Sequence, residues 1–303
     1  MEKEFEKFAE NIRLTQSQGQ DAKTKYDGVC NKLHTSYYEA EYDGSTKFLF
    51  GSYKTRTNIR PLASNQDVDV IFKIPDDTYE RFKTYDGNGP SALLQEIREY
   101  LKEKYTTTEI KAWVNVVLVQ FADNTHNVEV LPAHEESSGF FTIPNSSDGG
   151  HWDKFNPRDE IDSFLTSNVK TNGLTSDIVR MLKSWVRNTT TLTYKSYQLQ
   201  KDTIKFLSSN YKDGAKFSAY SSIMKDFFQY LKQNCDESIY SYVETAFDRA
   251  AKACSFENDG KFIEASEEWR KIFGTQFPLA KKNQTTDSST RNFSSPSRPY
   301  GYY

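Results

Sequence analysis

The chain has 303 residues, 15% aromatic and 36% hydrophobic, enough apolar side chain for one large core or two modest ones, which excludes disorder throughout. A formal charge of -3 and a pI near 5.9 give no bulk attraction to nucleic acid and disfavour a long duplex partner. The most apolar run, VNVVLVQF, is too short to span a bilayer, and the opening MEKEFEKFAENIR lacks the cationic cap and apolar block of a leader, so a soluble, cytoplasmic protein without membrane contact is expected. Cys30, Cys235 and Cys254 are scattered and odd in number, which reads as reduced thiols rather than a disulfide frame or zinc site.

Taken in chain order, Phe5, Phe8 and Ile12, then Tyr26, Val29, Cys30, Leu33 and Tyr37, recur at spacings of three and four. This predicts helix, interrupted near QSQGQ. Strand-like runs follow at KFLF and DVDVIFKI, then an amphipathic helix marked by Leu93, Leu94, Ile97 and Leu101. Two more strand-like runs come next, AWVNVVLVQF and NVEVL. From about residue 160 the strand signal vanishes, and residues 176 to 188, 196 to 208, 215 to 232, 240 to 255 and 261 to 273 carry helical periodicity. The expected fold is therefore α+β, a mixed sheet with helices followed by an all-helical domain. The division is 1–160 with a leading helical segment, 161–279 helical, and 280–303, rich in Ser, Thr, Lys and Pro, as a flexible tail.

Within FGSYKTRTNIRPLASNQDVDVIF, Asp67 and Asp69 alternate with Val68 and Val70, so both carboxylates project to one side while the valines enter the core. Like charges that close call for a cation, and Mg²⁺ takes oxygen ligands, although an isolated D-x-D is more often a solvated strand end carrying two aspartates. Upstream, the turn at Gly51 and Ser52 offers backbone N–H groups and a hydroxyl to a phosphate chain. In NVEVLPAH, Glu129 has the same apolar-acid-apolar setting, and a neighbouring strand could bring it beside the pair as a third ligand. Three acids about two metal ions roughly 4 Å apart suit phosphoryl transfer.

GSYKTRTNIRP, then DVDVIF, then VEVLPA resemble the active-site signature of the polymerase-beta-like nucleotidyltransferases, and specifically of the bacterial cGAS/DncV-like nucleotidyltransferases, the CD-NTases. MLKSWVR, YKSYQLQ and EASEEWRKIFGTQFP resemble that family's helical-half landmarks, so the likeness spans about residues 45 to 278. The resemblance implies two lobes about a central cleft, with Gly51 and Ser52 on the donor triphosphate. It implies Asp67, Asp69 and Glu129 as Mg²⁺ (or Mn²⁺) ligands, Glu129 also helping to deprotonate the attacking ribose hydroxyl. Lys183 and Ser196 would grip phosphates and Tyr197 stack on a base. Two departures stand out: Glu129 where Asp is more usual, and Gln200 where many relatives have Glu.

The resemblance further implies a synthase that condenses nucleoside triphosphates (ATP, with GTP or pyrimidine triphosphates as other substrates) into a cyclic di- or trinucleotide second messenger for bacterial anti-phage (CBASS) signalling. Accessory proteins would engage the C-terminal tail, and DNA activation is not expected, since no Cys/His cluster matches the zinc insertion of animal cGAS. Two readings compete: a template-independent terminal RNA nucleotidyltransferase, against which the acidic pI argues, and an inert nucleotide-binding scaffold, against which the spacing of three acids argues. Arg180, Lys183 and Arg187 at i, i+3 and i+7 read as a basic stripe facing the cleft, or else as a solvated helix face. Ser196 and Tyr197 read equally as a helix N-cap and a packed aromatic. His126 and His134 flank the third acid without needing a catalytic role, Asp123 is the next candidate acid, and His151 and Trp152 border a base pocket or punctuate a loop.

Overall fold

The computed structural model describes residues 1–62, 66–123, 125–211 and 219–281, so the expected tail at 280–303 lies almost wholly outside the described residues. The chain divides into two compact units. One holds Leu14–Arg56 and Leu62–Ile161; the other holds Met1–Arg13, Thr57–Pro61 and the described chain from Asp162 onward. The leading helix α1 (Glu2–Ile12) thus belongs with the later helices.

In the sheet unit, α2 (Gln16–Tyr38) begins at the first residue of QSQGQ, so the expected interruption near that run falls just before it, at residues 13–15. The Thr15 hydroxyl accepts from the Gln18 N–H at 3.2 Å, and the Gln18 side chain accepts from the Thr15 N–H at 2.9 Å. This reciprocal capping fixes the start. Then come β1 (Lys47–Leu49), the short α3 (Gly51–Thr55), β2 (Asp67–Lys73), α4 (Asp76–Lys83) and α5 (Gly89–Lys104). β3 (Glu109–Trp113), β4 (Val116–Gln120), β5 (Asn127–Glu135), β6 (Phe141–Asn145) and β7 (His151–Phe155) complete it.

The strands form one open sheet in the order β1-β2-β5-β4-β3, with β6 paired to β5 and β7 to β6. Only β2 and β5 are parallel; the remaining pairs are antiparallel. AWVNVVLVQF is not one strand but a hairpin, turned by Val114 at φ 43° with Asn115 donating to the Pro144 carbonyl at 2.7 Å. A valine in left-handed backbone hides a turn that Asn-Gly would have announced. One face of the sheet buries Val68, Val70, Phe72, Val128 and Val130 against Val29 and Leu33 of α2 and Leu93, Leu94, Ile97 and Leu101 of α5. On the other face, Ile71, Leu131 and Ala133 pack with Phe141 and Ile143 of β6.

The helical unit follows with α6 (Arg158–Lys170), whose first residues still count with the sheet, then α7 (Leu174–Asn188), α8 (Ser196–Asn210), α9 (Tyr220–Asn234), α10 (Glu237–Asn258) and α11 (Phe262–Phe273). Phe5 and Phe8 of α1 explain why that helix joins it. Both are fully buried, Phe5 edge-on to Trp269 and Phe277 at 5.0 Å each and Phe8 against Phe273 at 4.9 Å. Each such ring contributes about 1.5–3 kcal/mol by burial alone. Among the described residues, no helix is long and apolar enough to cross a membrane.

Candidate active site

The parallel register of β2 on β5 sets Asp69 directly beside Glu129 and Asp67 beside Asn127. Because strand side chains alternate, all four project from one face, opposite to Val68 and Val128. The acids occupy the first residues of both strands, and all three are half-buried. Asn127 donates to the Asp67 carboxylate at 3.0 Å, fixing that side chain. Burial raises the Asp67 carboxyl above its ordinary range, with the Asn127 bond opposing. Glu129 is raised by burial and then by the negative charge of Asp67. Two acids so crowded hold protons more readily than free carboxylates do.

The Gly-Ser turn meets this face directly. Phe50 N–H donates to the Asp69 carbonyl at 3.3 Å as β1 ends, and Gly51 then opens α3 with φ +60°. A Cβ at Gly51 would stand 2.3 Å from Asp69 Oδ2. Glycine is therefore required twice, for its backbone and for the approach of the carboxylate. Gly51, Ser52, Asp67, Asp69 and Glu129 all lie in the sheet unit; Lys183, Ser196 and Tyr197 lie in the helical unit. Among the described residues, no three His, Cys, Asp or Glu side chains stand close enough together to hold a metal ion, so the three carboxylates share a face without forming a ligand shell. As an all-oxygen donor set, with Asp67 and Glu129 raised in proton affinity, they nonetheless fit a hard divalent cation.

The helical-half residues fare unevenly. Arg180 does not form a basic stripe with Lys183 and Arg187: it is buried and paired with Asp177, one turn earlier on α7. Arg187 donates to the Pro61 carbonyl at 2.6 Å. Lys183, half-buried, reaches the Thr57 hydroxyl at 3.3 Å, both residues lying in the helical unit. Ser196 is the first residue of α8 rather than its cap, which is Lys195. Tyr197 is exposed, not packed, with the Lys201 ammonium 5.0 Å from its ring centre, and Gln200 is buried.

Other candidates resolve into structure. Asp123 is exposed and bound to Lys25 at 2.7 Å, away from the β5 register position that Glu129 holds beside Asp69. His134 pairs with Asp76 at 3.0 Å and stacks on Tyr79 at 4.4 Å. His151 and Trp152 form the start of β7, not a loop, with Trp152 edge-on to Tyr79. The cysteines are free thiols. Sequence reasoning missed Asn127, whose signal was its place two residues before Glu129 in the same alternation as Asp67 and Asp69.

Comparison with known proteins bears on this arrangement. Residues 1–168 match the Second Messenger Oligonucleotide or Dinucleotide Synthetase (SMODS) domain, more than half of the chain. A protein named as a probable cyclic nucleotide synthase in Bacillus cereus (strain VD146) is 23% identical, the match covering 78% of this chain and 83% of that protein. Among solved structures, Escherichia coli MS115-1 CdnC in complex with HORMA-deltaN is similar with a TM-score of 0.67 at 17% identity, over 91% of this chain and 98% of that one. Vibrio cholerae DncV, a cyclic AMP-GMP synthase held with the linear intermediate 5' pppA(3',5')pG, is similar with a TM-score of 0.67 at 14% identity, over 88% and 93%. These likenesses extend across both units and share the mixed sheet followed by helices. With the SMODS match spanning the acid-bearing sheet and the Gly-Ser turn, the chain belongs to the family of second messenger oligonucleotide or dinucleotide synthetases and is a nucleotidyltransferase of the CD-NTase type.

Proposed function

We propose that this chain condenses nucleoside triphosphates into a cyclic di- or trinucleotide, releasing pyrophosphate. The supporting observation is the placement of Asp69 beside Glu129, with Asp67 on the same face and Gly51 against Asp69. Mg²⁺, or Mn²⁺ in its place, would be held by Asp67, Asp69 and Glu129, and when bound would neutralise triphosphate charge and favour ionisation of the attacking ribose hydroxyl. Glu129, whose proton affinity burial and Asp67 raise, is suited to take the hydroxyl proton. Asn127 orients Asp67. The turn at Gly51 and Ser52 presents donors to the triphosphate, Lys183 adds a charge-assisted contact, Ser196 grips phosphate, and the exposed Tyr197 ring stacks on a base.

ATP is the first substrate to test, since CdnC has been solved with ATP, and GTP the second, since DncV has been solved with GTP. The linear intermediate seen in DncV supports two successive condensations, chain formation and then ring closure. The CdnC complex with HORMA-deltaN supports an accessory protein here, and we place the reaction in the cytoplasm, in anti-phage signalling. The test is incubation with all four NTPs and Mg²⁺ or Mn²⁺, followed by mass analysis of phosphatase-resistant products, with the Asp67→Asn, Asp69→Asn double variant alongside. Cyclic products absent from the folded double variant support the reading. Extension of an added RNA would identify a terminal transferase, and NTP binding without any product an inert scaffold.

A further inference from the structure

Three side chains that the proposed chemistry does not use carry buried polar atoms with no hydrogen-bond partner at ordinary length: the Tyr53 hydroxyl and both amide atoms of Gln66, which lie near one another, and Nε2 of His126. Each is the chain neighbour of a residue at the candidate site. Tyr53 follows Ser52, Gln66 precedes Asp67, and His126 precedes Asn127, which bonds Asp67. They also lie together in space. The Tyr53 ring stands edge-on to the His126 imidazole, with centres 5.6 Å apart and planes at 78°. Burial lifts the Tyr53 phenol well above its ordinary range, the Gln66 amide opposes, and the carboxylates of Asp21, Asp69 and Asp67 add to the lift. A phenol so placed keeps its proton and is a donor.

On the far side of the imidazole the arrangement is fully bonded. His126 Nδ1 meets Asp21 Oδ2 at 2.8 Å, Thr125 donates its hydroxyl to the same oxygen at 2.7 Å, and the Lys25 ammonium pairs with Asp21 at 3.2 Å. Against the cost of burial, the bonds from His126, Thr125 and Lys25 hold Asp21 below the usual carboxylate range. An ionised Asp21 only accepts, so Nδ1 carries a proton, and in the neutral imidazole Nε2 is an acceptor. One donor, one acceptor and an amide that is both make the complement of a water molecule, which binds two to four polar partners. Buried polar groups that find no protein partner find water.

We propose that Tyr53, Gln66 and His126 enclose bound water that ties the Gly-Ser turn to the strand of Asp67, and that Tyr53 and His126 are positioning residues for the nucleotide. The positioning role rests on the proposed function; the bound water does not. In crystals free of nucleotide and metal, at a resolution that shows water, an ordered molecule stands within hydrogen-bond reach of both the Tyr53 hydroxyl and His126 Nε2. Direct bonds among the three side chains with no water between them would overturn the chamber.

Tyr53→Phe keeps the ring and removes the donor; His126→Asn keeps a donor toward Asp21 and removes Nε2. Each is expected to raise the KM for ATP about 3- to 10-fold with a smaller change in kcat, the loss of one ordinary hydrogen bond. The double variant should be no worse than the poorer single, because both remove partners of the same water. Effects that multiply, or a lowered Tm with KM unchanged, would overturn the positioning role. Should the parent protein neither bind nor convert any NTP, the functional reading and the positioning role fall together, while the crystallographic water still decides the chamber.

Discussion

Asp177 of the helical unit and the acids of the candidate site in the sheet unit are treated in opposite ways. In the helical unit, Asp177 on α7 is surrounded by complements: Arg180 of the same helix, Arg13 at 3.1 Å and the Tyr220 hydroxyl at 2.8 Å. Against the cost of burial, Arg180, Arg13 and the Tyr220 bond hold Asp177 below the ordinary carboxylate range. In the sheet unit, burial raises Asp67, and burial with the charge of Asp67 raises Glu129. By linkage, Asp177 contributes stability at neutral pH that acid removes, whereas Asp67 and Glu129 cost stability at neutral pH that acid relieves. A carboxylate that serves the fold brings its own cation; crowded, half-buried carboxylates whose proton affinity is raised are a donor set awaiting one.

The sharpest break in this comparison is Glu129→Gln. With the charge removed from the β5 side of the site, kcat should fall by about 10²- to 10⁴-fold, the usual worth of a positioned acid or base, while NTP binding stays measurable through the turn and Lys183. Single-turnover kinetics with a separate binding titration would check it, and undiminished turnover would sink Glu129 as the third acid. Glu129→Asp sharpens the test: pulling the carboxylate back by roughly one methylene should cost on the order of 10²-fold if the site is built around the longer side chain.

The converse experiment removes the compensated carboxylate. Asp177→Ala leaves the buried Arg180 guanidinium without its acid and takes the acceptor from Tyr220, so unfolding free energy should drop by about 3–5 kcal/mol in urea titration. A loss within the range of an exposed pair, about 0–1 kcal/mol, would mean that Arg180 finds another partner and that Asp177 serves the fold no more than a surface carboxylate does.

That contrast was only half legible in the sequence. Asp67, Val68, Asp69 and Val70 announced their two faces because strand alternation is strict, and α5 announced itself through Leu93, Leu94, Ile97 and Leu101. The pairing of Asp69 with Glu129 was not readable from either strand, since register is a tertiary choice among strands. β6 and β7 escaped notice because FTIPN contains a proline and HWDKF is largely polar. Arg180 misled for a different reason: helical spacing placed it near Lys183, but the acid one turn earlier, Asp177, captured it. Nor does anything in EKEFEKFAENI state that Phe5 and Phe8 will pack on Trp269 and Phe273.

Lys183 tests whether the helical unit carries any charge for function rather than for the fold. It lies on the same helix as Arg180, and its ammonium reaches the Thr57 hydroxyl. Lys183→Ala should therefore raise the KM for NTP by the loss of a charge-assisted contact, about 1.5–3 kcal/mol, with kcat and Tm changing little. If Tm falls and KM does not move, Lys183 belongs with Arg180 among the structural cations.

The smallest expected effect has the opposite sign to the others, and for that reason discriminates best. A carboxyl whose folded pKa lies above its unfolded value is destabilising wherever it is ionised in both states: the cost is fully present above the folded pKa and is gone below the unfolded one. Asp67 is such a group. Asp67→Asn removes the charge while its side-chain carbonyl can still accept from Asn127, so the metal-free variant should melt slightly above the parent at neutral pH. The gap should close as the pH is lowered through the ordinary carboxylate range, because the parent then becomes neutral at the same position. Adding Mg²⁺ at neutral pH should reverse the order, since a cation held by Asp67, Asp69 and Glu129 stabilises only the protein that binds it. Melting curves over pH, with and without the metal, read all three comparisons. A variant less stable than the parent at every pH, with no response of either protein to Mg²⁺, would mean that Asp67 serves the fold as Asp177 does.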